Sequence, residues 1–404
     1  MAKRRPRECQ LYSTLSTPCP NSFFLLPKWQ IYTYPIKSLR GISLSAMPAT
    51  YMGFPHDRRF LLFNVAQGKH MAVATFTEMC LFTTAFSTEG GAGPDSKMIV
   101  TYTKDHVFDH PDKKVSPDQL HVPLSPETAG LEEVEVTMHS SPCIGYDMGE
   151  DYNGWFGERF GYEVKLLYIG GNSRKVLGNM PPNVAAQQRA GLAPVSSGNS
   201  SESSWLGSIT STATSLARAI TGAGGTDMEK ESQYEGIDEG ISFADVAPYL
   251  VISTKSWENA QRRLPENEEM DISKFRPNII VEGAEEDFEE DYWAEILIGG
   301  PADHDDETKG AKIVLTQNCS RCNSLNVDYA TGKVGEGESG KILKKLQSDR
   351  RVDPGAKWSP VFGRYGFLAR VPEGKSAAEI KVGDEVSIVR RNKERTRFGE
   401  FLIS

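Results

Sequence analysis

Between about residues 182 and 240 the sequence turns to Ser, Thr, Gly and Ala, with the tracts Ser196-Ser197-Gly198-Asn199-Ser200-Ser201 and Gly222-Ala223-Gly224-Gly225. Such a stretch cannot bury enough apolar surface to offset the entropy of ordering it. Any core must come from the sequence on either side. The chain is therefore read as a flexible basic N-terminal arm (1–27), a first unit (28–181), a largely disordered insertion (182–240), a second unit (241–392) and a C-terminal tail (393–404). Both units have the length of an ordinary domain.

In the first unit, Ile31, Tyr32, Tyr34 and Ile36, then Phe60 to Phe63, Met98 to Val100 and Leu131 to Met138 form short β-branched and aromatic runs separated by Gly, Pro, Asp and Asn. That pattern predicts a mainly antiparallel β domain. Trp155, Phe156 and Phe160 fit one short helical face, with Gly161 as its stop and an extended run from Val164 to Tyr168 after it. In the second unit, Pro248 to Ser253 and Phe275 to Val281 read as strands, and Trp257, Ala260 and Leu264 recur at helical spacing with Thr254 as N-cap. The acidic run Glu285 to Asp291 reads as a solvated loop, Ile342, Leu343 and Leu346 as a short helix, and Val386 to Val389 as a closing strand. The fold class is mainly β (α+β), with two barrel-like domains and a few short helices.

Lys and Arg number 45 against 54 Asp and Glu, a net charge of −9. A protein that neutralises nucleic-acid phosphates normally displays a basic excess, so nucleic acid is not an expected partner. No stretch approaches the ~18 consecutive apolar residues of a membrane-spanning helix. Trp205, Leu206, Ile209, Ala213, Leu216 and Ile220 share one side of a helix whose other side is Ser and Thr. That face could meet loosely packed lipid, or the tract is disordered with a transient helix. Six cysteines without dense regular spacing suggest a reducing compartment. A cytoplasmic location is expected. The alternative is mitochondrial, because no acidic residue lies between Glu8 and Asp57, although Pro6, Pro18 and Pro20 interrupt any amphipathic presequence helix.

Cys319-Ser320-Arg321-Cys322 is the most reactive-looking tetrapeptide, since two thiols at this spacing can share a metal or a disulfide and Arg321 would favour a thiolate. Two buried structural thiols are the alternative. A structural zinc site lacks a second ligand pair, and no helical pattern begins after Cys322 as a thioredoxin-type exchange pair would require. Four other clusters look costly as mere structure. Lys37 and Ser38 place an ammonium beside a hydroxyl, which suits a phosphate; Arg58 and Arg59 stand at the head of an apolar strand. Arg276 and Asn278, two apart in an extended run, should point the same way, and Ser359 to Tyr365 is a Pro- and Gly-shaped loop ending in a phenol. Basic groups from both units with one thiolate would suit an anionic, sulfur-seeking cofactor held between domains.

On these residues the chain resembles MOSC-domain proteins, the class that includes the mitochondrial amidoxime-reducing components of animals. The first half is similar to the MOSC N-terminal β-barrel domain through Tyr34-Pro35-Ile36-Lys37-Ser38-Leu39-Arg40-Gly41 and Asp57-Arg58-Arg59-Phe60. The second resembles the MOSC domain through Phe243-Ala244-Asp245, Phe275 to Ile279, Cys319 to Cys322, Arg351-Val352-Asp353-Pro354, Ser359 to Gly363 and Ile380 to Asp384. The resemblance implies a molybdenum cofactor, the mononucleotide-free molybdopterin, and a reductase of N-hydroxylated compounds such as amidoximes and hydroxylamines. By motif position Cys322 would be the thiolate on molybdenum, Lys37, Ser38, Arg58 and Arg276 would hold the phosphate and pterin, and Asn278, Ser320, Arg321 and Tyr365 would complete the pterin contacts. Asp245 falls where the family keeps an acidic residue near the metal, to relay or position a proton.

With no haem or flavin motif in the chain, electrons would come from a partner, in the eukaryotic family cytochrome b5 with its NADH-dependent reductase. Cytochrome b5 is acidic, so the run Glu285 to Asp291 makes docking by charge attraction less obvious. Thr75-Phe76-Thr77-Glu78-Met79 departs from the family's usual Gln or Arg before Pro, and Ala247 stands where relatives often have Ser. The competing function is a cofactor carrier or sulfuration-related protein without turnover, although no pyridoxal-phosphate desulfurase domain is visible. A lipid-surface scaffold is a third class, against which the basic residues and Cys322 argue.

Overall fold

The computed structural model describes residues 31–177, 179, 181–182, 240–299, 310–372 and 375–398. The N-terminal arm and the 205–220 segment, with its expected lipid-facing helix, lie outside them. Three α-helices and many short strands make up the described chain, so it is mainly β.

In the first unit a five-stranded sheet runs in the order Glu133–Met138, Ser141–Asp147, Val164–Tyr168, Phe60–Asn64, Lys69–His70. Its edge strands Glu133–Met138 and Lys69–His70 return against each other, curling the sheet into a nearly closed barrel beside the three-stranded sheet of Leu120–Pro123, Lys97–Tyr102 and Phe82–Phe86. Alternation along Lys97–Tyr102 buries Met98, Val100 and Tyr102 and leaves the intervening side chains partly or fully exposed. Helix Glu150–Phe160 caps this core with the aromatic face expected from sequence: Trp155, Phe156 and Phe160 all meet the Phe82 ring, with centroids 4.8–6.0 Å away. Gly161 ends the helix at φ 80°, where an added Cβ would lie 2.9 Å from Val107 Cγ1.

The second unit is built on an eight-stranded sheet in the order Ile42–Leu44, Ile31–Thr33, Ile279–Val281, Tyr249–Ser253, Val361–Arg370, Ala311–Ser320, Trp293–Ile298, Val386–Arg391. Two of those strands come from the opening of the chain: Ile31 pairs with Ile279, and Ala46–Ala49 pairs separately with Ala378–Lys381. The boundary near 241 therefore divides the sequence, while the strands before Thr50 sit with the later ones, Ile31–Thr33 and Ile42–Leu44 in the eight-stranded sheet and Ala46–Ala49 on Ala378–Lys381. Period-two patterning reports that a strand exists but not which neighbour it pairs with.

Four local expectations are corrected. The acidic run is not a wholly solvated loop, because Glu290 and Asp291 are both 0% exposed. Glu290 accepts from the Ser253 and Ser256 hydroxyls at 2.7 Å each. Asp291 takes both Arg350 contacts at 2.8 Å and Arg395 Nε at 2.7 Å, and burial without these partners would cost several kcal/mol. Ser253, not Thr254, is the N-cap of helix Thr254–Arg262, its side chain accepting from the Ser256 N–H. The run Phe275 to Val281 is a strand only over Ile279–Val281, since a 3₁₀ turn covers Ile272–Phe275 and Arg276 sits at φ 55°. A 3₁₀ turn, Asn323–Asn326, does follow Cys322, which is its N-cap.

Candidate functional site

The site grows from the turn after the first strand. Tyr34 is wholly buried; its N–H donates to Asp57 Oδ1 at 2.8 Å and its hydroxyl to the Pro277 carbonyl at 3.0 Å. Its ring carries two guanidiniums, Arg58 with Cζ 4.5 Å from the centroid and Arg276 at 4.3 Å. Arg58 binds Asp57, donates to Asn278 Oδ1 at 2.9 Å and reaches the Arg276 carbonyl at 3.3 Å. Asn278 is fixed in turn, its Oδ1 accepting also from Leu250 N at 3.2 Å and its Nδ2 donating to the Tyr32 carbonyl at 3.2 Å. Arg276 donates to the Leu39 carbonyl at 2.7 Å, and its buried Nη2 has no partner among the described residues.

Lys37, also buried, donates to the Phe243 carbonyl at 3.0 Å and forms an ion pair with Asp245. His139 Nε2 lies 3.2 Å from the same Asp245 oxygen. Burial alone would raise the pKa of Asp245, but Lys37 and His139 hold it well below the usual carboxylate range. Arg174, 1% exposed, pins the backbone here: it donates to the carbonyls of Met138 at 3.1 Å, Ser242 at 3.3 Å and Asp245 at 3.2 Å, and to that of Ala244. Ser38, Arg58, His139, Ser140 and Arg276, all in or beside this cluster, have positive φ. Left-handed backbone at non-Gly residues is costly and tends to gather where a site dictates it.

The second part of the site is the end of strand Ala311–Ser320. Arg321 is buried and donates from Nη1 to Cys319 Sγ at 2.9 Å and from Nη2 to the Phe275 carbonyl at 2.8 Å, so the thiol it bonds is Cys319. The Tyr365 hydroxyl, on a partly buried side chain, bonds Cys319 too, and burial, then the Cys319 charge, push its pKa well above normal. Cys319 is 2% exposed. Cys322 is exposed, and Ser324 Oγ lies 3.2 Å from its sulfur. The Oγ of Ser320 and Nε of Arg321 are buried with no partner among the described residues.

Lys37, Arg58, Asn278, Arg276 and Asp245 are thus brought together across the two units, with Ser38 in the same turn. Arg321 links this group, through Phe275, to Ser320, Cys319, Cys322 and Tyr365. Around Asp245 stand four cations, Lys37, Arg58, Arg174 and Arg276, against the carboxylates of Asp57 and Asp245. That imbalance, with unfilled N–H donors, fits a bound anion. Among the described residues no three His, Cys, Asp or Glu side chains could hold a metal together; a metal at Cys322 would have to bring further ligands with it. Tyr34, Asp57, His139 and Arg174 escaped sequence reasoning. Only the Tyr34-Pro35 and Asp57-Arg58 adjacency hinted at the first two, and nothing in the sequence marks Arg174.

A barrel at the N-terminus, a second β unit completed by its strands and a cationic cluster between them define the class: the chain matches the MOSC N-terminal beta barrel domain over residues 29–163 and the MOSC domain over 238–387, and belongs to the MOSC family. Among named relatives, the human mitochondrial amidoxime-reducing component 1 is 33% identical over 153 residues, 37% of this chain and 39% of that protein. The chain thus spans about two fifths of that relative in its best-matching stretch. The mouse mitochondrial amidoxime-reducing component 1 is 23% identical over 369 residues, 89% of this chain and 81% of that protein. A molybdenum cofactor sulfurase of Arabidopsis thaliana is 23% identical over 367 residues, 88% of this chain and 34% of that one.

Proposed function

We propose that the chain binds a molybdenum cofactor, a molybdenum held by the dithiolene of a phosphorylated pyranopterin, and reduces N-hydroxylated compounds such as amidoximes and hydroxylamines. The observation that carries this reading is the excess of buried cation with unfilled donors beside one exposed thiol. Arg276, Arg58, Lys37 and Ser38 suit the phosphate and pterin. Arg276 Nη2, Ser320 Oγ and Arg321 Nε are donors that a polar ring system would satisfy. Asn278 and Tyr365 complete the wall, and Cys322 offers a soft thiolate to a metal already bound by sulfur.

When bound, the cofactor supplies the two-electron redox change. The protein supplies position and charge. Lys37 and His139 keep Asp245 ionised, so at neutral pH it accepts hydrogen bonds and orients a proton-bearing group rather than storing a proton itself. Arg174 holds the Asp245 backbone in place for that role. Electrons come from a partner protein, with cytochrome b5 and its reductase as the expected pair. The relatives' printed names favour the mitochondrial alternative for location.

Molybdenum and pterin content of the purified protein, with Cys322→Ala beside it, followed by benzamidoxime reduction from a chemical donor, tests the reading. The wild type should carry both and turn over; the variant should keep pterin and lose molybdenum. The sulfurase relative supports a second reading, a cofactor carrier. Cofactor bound without reduction would favour it, and absence of both metal and pterin from a cofactor-competent host would remove both readings.

A further inference from the structure

Arg40 and Lys274, one from each unit, converge on a single phenol. Arg40 Cζ lies 5.2 Å from the centre of the Tyr329 ring and Lys274 Nζ 5.5 Å, both within the ~6 Å at which a ring attracts a cation. Lys274 is only 7% exposed. Neither cation has a hydrogen bond or a carboxylate at ion-pair distance among the described residues, and the Tyr329 hydroxyl has no hydrogen bond there either. An ammonium is costly to bury unpaired. Burial pulls the Lys274 pKa below its ordinary value, and the charges of Asp271 and Asp328 offset this only in part. Both carboxylates are engaged locally: Asp271 Oδ1 accepts from the Ser273 N–H at 2.8 Å, and Asp328 from the Ala330 N–H at 2.9 Å and the Thr331 hydroxyl at 3.0 Å.

The three groups are held where they are by backbone. The Arg40 N–H donates to the Phe82 carbonyl at 3.2 Å, and the Arg40 carbonyl accepts from the Thr84 hydroxyl at 2.7 Å. Tyr329 stands on the hairpin of Val327–Asp328 and Lys333–Val334, just beyond the 3₁₀ turn that follows Cys322. That hairpin is pressed against the first unit, since a Cβ added at Gly332 would lie 2.8 Å from Leu81 Cδ1 and 3.1 Å from Phe108 Cε2. Lys274 belongs to the 3₁₀ turn Ile272–Phe275 that delivers Arg276. Arg276 joins this place to the cationic cluster: it lies over Tyr34, donates to the carbonyl of Leu39 beside Arg40, and is the strongest charge acting on Tyr329. The seat therefore adjoins the candidate cofactor site while drawing on side chains that site does not use.

We propose that Arg40, Lys274 and Tyr329 form an oxyanion seat for the carboxylate or phosphate of a substrate, so that the chain acts on N-hydroxylated compounds carrying a negative charge. A guanidinium, an ammonium and a phenol with unfilled donors favour such a group over a neutral one. Lys37, Ser38 and Arg58 already provide for the phosphate of the cofactor, so a second unfilled set serves a second anion. The class of substrate rests on the reductive reading above, and the seat on its geometry alone.

The test uses holoprotein, in which the cofactor's own phosphate is already in place, with inorganic phosphate as probe and the variants Lys274→Gln and Arg40→Gln. Phosphorus NMR titration at low salt should show phosphate bound by the wild type and bound about tenfold more weakly by each variant. The unfolding midpoint of Lys274→Gln in urea should stay level or rise, because a buried unpaired cation is removed. With a chemical electron donor, para-carboxybenzamidoxime should show a lower KM than benzamidoxime, and Lys274→Gln should raise the first KM several-fold while kcat and the second KM stay as they are. Should Lys274→Gln fail to fold, Arg40→Gln, at a half-buried position, carries the same comparison. Phosphate binding that neither variant weakens would overturn the proposal. So would phosphate bound by cofactor-free protein and not by holoprotein, since the seat would then belong to the cofactor. Equal KM values for the two amidoximes in the wild type would remove the substrate as occupant and overturn it as well. Phosphate binding that the variants weaken, in a protein that reduces neither amidoxime, would end the redox reading and leave the seat standing.

Discussion

Replacing Gly41 by Ala asks whether the Tyr34 ring is the rigid platform on which the candidate site rests. The new Cβ would lie 2.4 Å from Tyr34 Cε1, 2.7 Å from Cδ1 and 3.1 Å from the Thr33 carbonyl oxygen. The ring cannot swing away cheaply, because it is wholly buried and its hydroxyl is bonded to Pro277. An overpacked site of this kind costs about 1–3 kcal/mol, and the upper half of that range is expected here, where two close contacts fall on a side chain pinned at both ends. Any movement of the ring also displaces the guanidiniums of Arg58 and Arg276 that lie against it. Loss of stability should therefore arrive with loss of anion affinity. Gly171→Ala is the control, since an added Cβ there meets nothing within 4 Å. Urea unfolding and pterin content of the two variants are the measurements. Gly41→Ala with wild-type unfolding midpoint and full pterin would refute the platform argument.

Arg350→Met strips Asp291 of a bidentate partner while Arg395 still reaches it, so a loss of about 3 kcal/mol, the lower end for breaking a buried pair, is expected from denaturant unfolding. Burial, helped by the Lys37 charge, lowers the His70 pKa to about 4. The unfolded chain therefore binds the extra proton between about pH 6.5 and pH 4, and stability present above that window should fall as pH drops through it, by up to about 3 kcal/mol. His70→Phe should flatten that slope, as urea titrations at several pH values would register. Cys319→Ala and Cys322→Ala should separate: the first removes a buried sulfur bonded by Arg321 and Tyr365 and lowers stability, the second leaves unfolding unchanged and lowers bound molybdenum. Equal effects on both measurements would show that the two thiols have not divided the work.

Which parts of this were readable in advance follows from range. The aromatic face of helix Glu150–Phe160, its glycine stop and the strand Val164–Tyr168 are local patterns, and local patterns survive into structure. Ile279, which pairs with Ile31, and Lys381, which pairs with Ala46, lie more than two hundred residues away, and no periodicity carries that information. The same holds within the site. Lys37, Arg58, Arg276 and Cys322 announced themselves by chemistry and motif, whereas Arg174 acts only on carbonyls that the fold delivers to it. The acidic run misled because charge was read without its counter-charge: Arg350 and Arg395 are distant in sequence and adjacent in space to Asp291.

Because strand Ile31–Thr33 lies between Ile42–Leu44 and Ile279–Val281, the earliest described piece of the polypeptide waits for one of the later ones. Leaving the ribosome, the amino-terminal half can curl its own barrel but has nothing against which to set Tyr34, whose hydroxyl acceptor, Pro277, is still unmade. A nascent chain stalled short of that point owns Arg58 but not Asn278, to which its guanidinium donates. Synthesis therefore fixes when the Tyr34 platform can first be tied down: only after both halves have emerged, and in neither half expressed by itself.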